Sequence, residues 1–176
     1  MRRILLLTLT VCFLTACSNN SSNSRAELKP INEVETTIVL LRHAEKAKQQ
    51  GRDPELSSKG LKRAEALTKK WAALTPEVLY STPYKRTLMT IAPSSKLLNL
   101  PVNTYKVPTE LLAKKLLTLH KGQTVVVVGH SNTTPELISA LGVKQPITIG
   151  HDQYGDLFIV KITKRGASVI REQFGN

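Results

Sequence analysis

The chain has 176 residues, with 25 lysines and arginines against 13 aspartates and glutamates, a formal charge of +12. That is one domain's worth of sequence, long enough for a real hydrophobic core. Its two cysteines, Cys12 and Cys17, both lie near the N-terminus, which excludes a disulfide framework or a thiolate metal site in the rest of the chain.

Met1-Arg2-Arg3 is followed by an apolar run from Ile4 to Leu14 and then Thr15-Ala16-Cys17. A charged start, a short apolar stretch and small residues at the break read as a secretory signal. The run is too short to span a bilayer. Leu14-Thr15-Ala16-Cys17 resembles the bacterial lipobox, which implies removal of residues 1–16 and a lipid on Cys17. A plain signal peptide and an uncleaved anchor are the alternatives. Ser18, in place of aspartate, resembles lipoproteins sent to the outer membrane of a Gram-negative host. Residues 17–34 are polar and rich in serine and asparagine, a tether with a reach of roughly 20–25 Å. The expected domain is therefore 35–176.

Without Arg2 and Arg3 the charge is still +10. A surplus of that size implies acidic surroundings: anionic headgroups, lipopolysaccharide phosphates or a phosphorylated substrate. Nucleic acid is the usual partner of so basic a chain, but export removes that option.

Thr36 to Leu41 is a continuous β-branched and aliphatic run, as in a strand buried on both faces. From Ser58 to Leu74 apolar residues recur at Leu61, Ala64, Leu67, Trp71 and Leu74, with lysines and arginines opposite, which predicts an amphipathic helix. Short strands are expected at Val78–Tyr80 and Val102–Tyr105, and helices at Pro83–Leu98, Thr109–His120 and Thr134–Leu141. Val125 to Val128 repeats the buried-strand signature. The tail, Asp156–Ile162 and Ala167–Phe174 around Lys164-Arg165-Gly166, predicts a hairpin. Strand and helix in regular alternation imply a three-layer α/β/α sandwich on a mostly parallel sheet, with the C-terminal hairpin at or near one edge. Ligands in such folds bind beyond the carboxyl ends of the strands, where Arg42-His43 and Gly129-His130 both fall.

Four stretches carry the chemistry: Arg42-His43 closing a strand; Asp53-Pro54-Glu55-Leu56-Ser57 with Gly60, Arg63 and Ala64; Ser81-Thr82-Pro83-Tyr84-Lys85-Arg86 through Thr90; and Gly129-His130-Ser131-Asn132. Together, in this order and spacing through the whole domain, they resemble the histidine phosphatase superfamily, the clan that includes the cofactor-dependent phosphoglycerate mutases. Leu-Leu-Arg-His-Ala-Glu-Lys looks closest to its small exported or phosphohistidine-phosphatase-like members. The resemblance implies that His43 accepts the phosphoryl group, that Arg42 and Arg86 grip phosphate oxygens, and that His130 assists, with Ser131 as a further hydrogen-bond donor or a helix cap. Arginine suits the clamp because its planar fork binds oxyanions in pairs. A neutral imidazole is a competent nucleophile near pH 7. Neither a metal nor another cofactor is expected.

Glu110 matches by position the acid of the mutase branch, and would protonate the leaving oxygen. Equally, a glutamate in a first helical turn simply complements the dipole. Glu45, Asp152 and Asp156 are the other carboxylates in reach, and a good leaving group would need none. About twenty residues separate Glu110 from His130, too few for the large lid of the sugar-phosphate mutases. The expected function is a phosphatase acting through a phosphohistidine. A non-catalytic anion-binding lipoprotein of the same fold is the competing expectation.

Overall fold

The computed structural model describes residues 34–48 and 51–175. The expected signal, Cys17, Ser18 and the tether up to residue 33 lie outside the described residues. Among the described residues no helix is long and apolar enough to cross a membrane.

The two aliphatic runs form β1 (Thr36–Arg42) and β4 (Thr124–Gly129), adjacent and parallel at the centre of the sheet. Their side chains alternate between two separate cores. Ile38, Leu40, Val125 and Val127 face α4 (Thr109–Leu119) and α5 (Thr133–Ala140). Val39, Leu41, Val126 and Val128 face Leu67, Trp71 and Ile91 of α1 (Ser58–Leu67), α2 (Trp71–Leu74) and α3 (Lys85–Leu98). Burial on both faces is why these strands are unbroken apolar runs rather than alternating ones. The remaining strands are β2 (Val78–Ser81), β3 (Val102–Thr104), β5 (Asp156–Thr163) and β6 (Gly166–Gln173), and the order is β3-β2-β4-β1-β5-β6. The first four are mutually parallel, while β5 and β6 form the antiparallel hairpin at one edge. This is the expected α/β/α sandwich.

Three local expectations need correction. Pro83 lies ahead of α3, which starts at Lys85. The helix expected over Ser58–Leu74 is interrupted at Thr68–Lys70 by a 3-10 turn, where the Thr68 hydroxyl donates to Glu65 O at 2.6 Å. A threonine hydroxyl bonded back to the preceding turn competes with the helical ladder in this way.

The buried stripe of α1 is also different. Leu61 is 46% exposed, whereas Gly60, Arg63, Ala64 and Leu67 are buried. Arg63 is buried because its charge is matched: Nε donates to both Glu45 carboxylate oxygens at 3.1 and 2.9 Å, and Nη1 donates to Phe174 O at 2.9 Å. Burial alone would raise the Glu45 pKa, but the bonds and charge of Arg63, helped by Lys59, hold it below the usual glutamate value. Glu45 follows the end of β1 by three residues. The ion pair therefore ties that loop to α1 and to the C-terminus.

Gly60 allows the same approach from the backbone side, since a Cβ there would lie 2.2 Å from Glu45 O. Helix propensity alone makes Gly60→Ala stabilising by about 1 kcal/mol. The contact reverses the sign: Gly60→Ala is expected to lower stability by about 1–3 kcal/mol, as overpacking does. Denaturant unfolding distinguishes the two, and an unchanged or raised midpoint contradicts the close approach.

Candidate active site

Parallel pairing of β1 with β4 puts Arg42 opposite Gly129, so the next residue on each strand is a histidine. The His43 amide donates to Gly129 O at 3.0 Å, and the two imidazole centroids are 5.5 Å apart in an edge-on arrangement. On the other side of β4, the Thr82 amide donates to Val128 O at 3.3 Å, bringing the end of β2 and the start of α3 to the same place.

His43 is 5% exposed. Its Nδ1 lies 2.8 Å from Ala44 O, and a carbonyl can only accept, so Nδ1 carries the proton and Nε2 keeps its lone pair. The Ala44 amide in turn donates to Thr90 Oγ1 at 2.9 Å, fixing the peptide next to the ring. The imidazole pKa is lowered to about 3. Burial is the main cause; the Ala44 bond opposes it, and the charges of Arg42 and Arg86, with His130, add to it.

His130 has Nδ1 3.4 Å from Arg86 Nη2 and Nε2 3.0 Å from Thr82 Oγ1. Arginine only donates, so Nδ1 accepts and Nε2–H donates to Thr82. The Thr82 hydroxyl donates to Thr87 Oγ1 at 2.9 Å, and the Thr87 hydroxyl donates in turn toward Thr82 O and Tyr84 O, both at 2.8 Å. This chain fixes the ring and its tautomer. Burial, then Arg86 and Arg42, lowers the His130 pKa to about 4.

Arg86, in the first turn of α3, has Nη1 3.5 Å from Asp53 Oδ1 and its guanidinium 4.6 Å from the Tyr84 ring centroid. Asp53 also accepts from the Lys85 amide at 3.0 Å, so it caps α3 from another loop where Tyr84, the N-cap, supplies no side-chain bond. Arg42 is more committed than its expected role suggests. Nη1 donates to the carbonyls of Gly150, His151 and Gln153 at 3.0, 2.7 and 3.1 Å, and the guanidinium sits 4.2 Å from the Tyr154 ring centroid. Its buried Nε has no hydrogen-bond partner among the described residues.

These groups open onto a two-lobed cleft. The smaller lobe, about 330 Å³, holds Arg42, His43, Arg86, His130, Ser131 and Asn132, with Lys46, Arg52 and His151 at its walls. The larger, about 510 Å³, shares Arg86, His130 and Asn132 and runs along the loop between β3 and α4. Asn132 makes no capping bond to α5, while Thr133 Oγ1 accepts from the His130 amide, so Ser131 and Asn132 border the cleft rather than close the helix.

None of the sequence-derived carboxylates is hydrogen-bonded to the His43 or His130 ring. Glu110 is exposed in the first turn of α4 and borders neither lobe, the placement of a dipole partner. Glu45 is held by Arg63. Asp156 is buried against Arg171 and Gln173, and Asp152 is exposed beside His151. Among the described residues no aspartate or glutamate lines either lobe, and no three histidine, cysteine, aspartate or glutamate side chains group as a metal site would. Ser81 is fully buried and donates to Thr82 O, away from both lobes. The sequence reading missed Thr82 with Thr87, Asp53 as helix cap and Tyr154 under Arg42. Thr82 sits inside the Ser81-x-Pro83 motif, and Tyr154 just beyond Asp152, but only tertiary contact gives either a task.

The α/β/α sandwich thus brings two histidines at the carboxyl ends of neighbouring strands and two guanidinium groups, Arg42 and Arg86, to one cleft. Residues 38–111 match the family described as the histidine phosphatase superfamily (branch 1), a segment that contains Arg42, His43 and Arg86. The chain is similar to that superfamily over this segment, 74 of its 176 residues. Its fold is shared with the protein histidine phosphatase SixA solved with tungstate, at 17% identity and TM-score 0.64 over 78% of this chain and 96% of that one. It is shared likewise with YhfR of Bacillus stearothermophilus, at 18% identity and TM-score 0.63 over 78% and 96% of the two chains. A mycobacterial glucosyl-3-phosphoglycerate phosphatase aligns at 15% identity and TM-score 0.62, over 80% and 99%. No curated protein sequence matches the chain.

Both histidines are expected to stay neutral well below pH 6.5. In nuclear magnetic resonance titrations, with His43→Asn and His130→Asn for assignment, their ring nitrogens should keep neutral-form shifts from pH 8 to 5. Midpoints near 6.5 contradict the burial argument. The unfolded chain takes up these protons near 6.5 and the folded chain only near 3 and 4. Their contribution to stability is therefore lost as pH falls through that window.

Proposed function

We propose that this protein is a metal-independent phosphatase that hydrolyses phosphate monoesters through a phosphohistidine on His43, close in kind to the SixA-like members of that superfamily. The observation that carries the reading is the His43 tautomer: Nδ1–H is spent on Ala44 O, leaving Nε2 unprotonated beside a cleft whose charged lining is cationic. The neighbour solved with tungstate, a tetrahedral oxyanion like phosphate, supports an oxyanion in the smaller lobe.

In this account the Arg86 and Arg42 guanidinium groups and Ser131 hold the phosphoryl oxygens while Nε2 attacks in line and the P–O bond to the leaving group breaks. Such transfers depend chiefly on positioning and charge neutralisation. His130, held by Thr82, presents Nδ1 toward Arg86 and the transferring group. Water then attacks phosphorus, the bond to Nε2 breaks, and phosphate leaves. Glu110 is assigned no proton transfer, because it borders neither lobe. The run Leu14-Thr15-Ala16-Cys17 supports export and a lipid on Cys17, with the domain on the periplasmic face of a membrane.

The test is turnover of 4-nitrophenyl phosphate by the full-length chain in detergent with excess chelator. Wild type is expected to turn over undiminished by chelator, and His43→Ala to lose at least about a thousandfold in kcat, as loss of a covalent nucleophile does. Phosphate binding with no turnover of any ester by wild type contradicts the enzyme reading and leaves an anion-binding protein. Thr82→Val is expected to lower kcat by about 10–100-fold while the His43 titration stays unchanged, since His130 loses only its orienting bond. An unaltered kcat contradicts the assigned hydroxyl chain.

A further inference from the structure

We propose that the larger lobe receives the leaving group, and that this leaving group is a phenol, so that the preferred substrates are aryl phosphate monoesters. The inference rests on the phosphatase reading and adds the part of the substrate beyond the phosphoryl group.

The lobes meet at Arg86, His130 and Asn132. A phosphoryl group beside His43 therefore has its ester oxygen directed past His130 into the larger space. At about 510 Å³ this lobe lies within the size range of small-molecule sites. Its walls include Pro83, Tyr84, Tyr105, Val107 and Pro108. Tyr84 is 39% exposed and Val107 46% exposed, so apolar surface faces the cleft mouth without a cover among the described residues. The Tyr84 ring is already braced, edge-on to His130 at 5.3 Å and against the Arg86 guanidinium. A fixed aromatic wall favours a flat ring through offset or edge-to-face contact.

The second line of argument concerns protons. No aspartate or glutamate lines either lobe among the described residues, and Asp53, the carboxylate beside Arg86, is an ion-paired acceptor that caps α3, so no carboxylic acid is offered to a departing oxygen. The substrate must then release an oxygen that is stable as an anion. A phenol, with a pKa of about 10 as in tyrosine, does this far more readily than an aliphatic alcohol. In the first step the Nε2–P bond forms, the P–O bond to the ring breaks, and its electron pair leaves on phenolate, which takes a proton from solvent. In the second, water attacks phosphorus and the pair of the N–P bond returns to Nε2. The sum is aryl phosphate plus water giving phenol and inorganic phosphate.

The experiment measures kcat/KM of the full-length chain for phenyl phosphate, glycerol 3-phosphate and acetyl phosphate, the last having a good leaving group but no ring. Wild type is expected to favour phenyl phosphate over glycerol 3-phosphate at least about a hundredfold. Val107→Asp, at a half-exposed loop position, should cut phenyl phosphate turnover about tenfold, the scale of a lost apolar pocket contact, with acetyl phosphate unchanged. Equal loss on both substrates, or no loss on either, overturns the leaving-group lobe. A preference for glycerol 3-phosphate overturns the phenol assignment. If wild type turns over none of the three, acetyl phosphate included, the phosphatase reading itself fails.

Discussion

The parallel register of β1 with β4 is the constraint on which the site depends. Pairing Arg42 with Gly129 makes His43 and His130 neighbouring exits from the carboxyl ends of two strands, and a slip of either strand by one residue would turn its side chains to the opposite face of the sheet. That register is strongly specified because every residue from Ile38 to Leu41 and from Val125 to Val128 is buried. Two aliphatic strands, chosen for packing, thus set the separation of two imidazoles more firmly than any contact between the rings.

The cleft concentrates positive charge, and the fold holds it together with groups of the opposite polarity. Three carbonyls of the loop at 150–153 take up one nitrogen of Arg42, Asp53 faces Arg86, and Glu45 faces Arg63 behind the loop that follows β1. The two carboxylates, Asp53 and Glu45, each steady a cation without lining either lobe. The result is a site where the histidines remain neutral, because burial and neighbouring guanidinium groups both oppose protonation. On the proposed mechanism, an arriving phosphate dianion would reverse part of that field and favour positive charge on a phosphorylated imidazole as it forms.

Much of this was legible in the chain. Unbroken aliphatic runs gave the central strands, helical spacing placed most of the helices, and the alternating tail gave the edge hairpin. His43, His130, Arg42 and Arg86 could be singled out because the motifs that carry them, each next to a strand end or helix start, together resemble those of the histidine phosphatase superfamily. What was not legible depended on contacts across the chain. Arg63 reads as surface until Glu45 and Phe174 O are seen beside it, and Leu61 reads as core until the helix rolls Gly60 inward. Glu110 reads as an acid by its position between motifs, but the direction of the first turn of α4 is set by packing of Leu112, Ala113 and Leu116 on the sheet. Thr82 reads as a motif filler until His130 is brought to it by β2 and β4.

The central claim is that His43 becomes covalently phosphorylated. The most direct measurement is rapid quenching of the full-length chain with a phosphorus-32-labelled ester, followed by peptide mapping. The account predicts label on the peptide containing His43, stable in alkali and lost in acid, and absent from His43→Ala. Steady turnover with no label on His43 at any quench time, or label that survives acid on another residue, would contradict it.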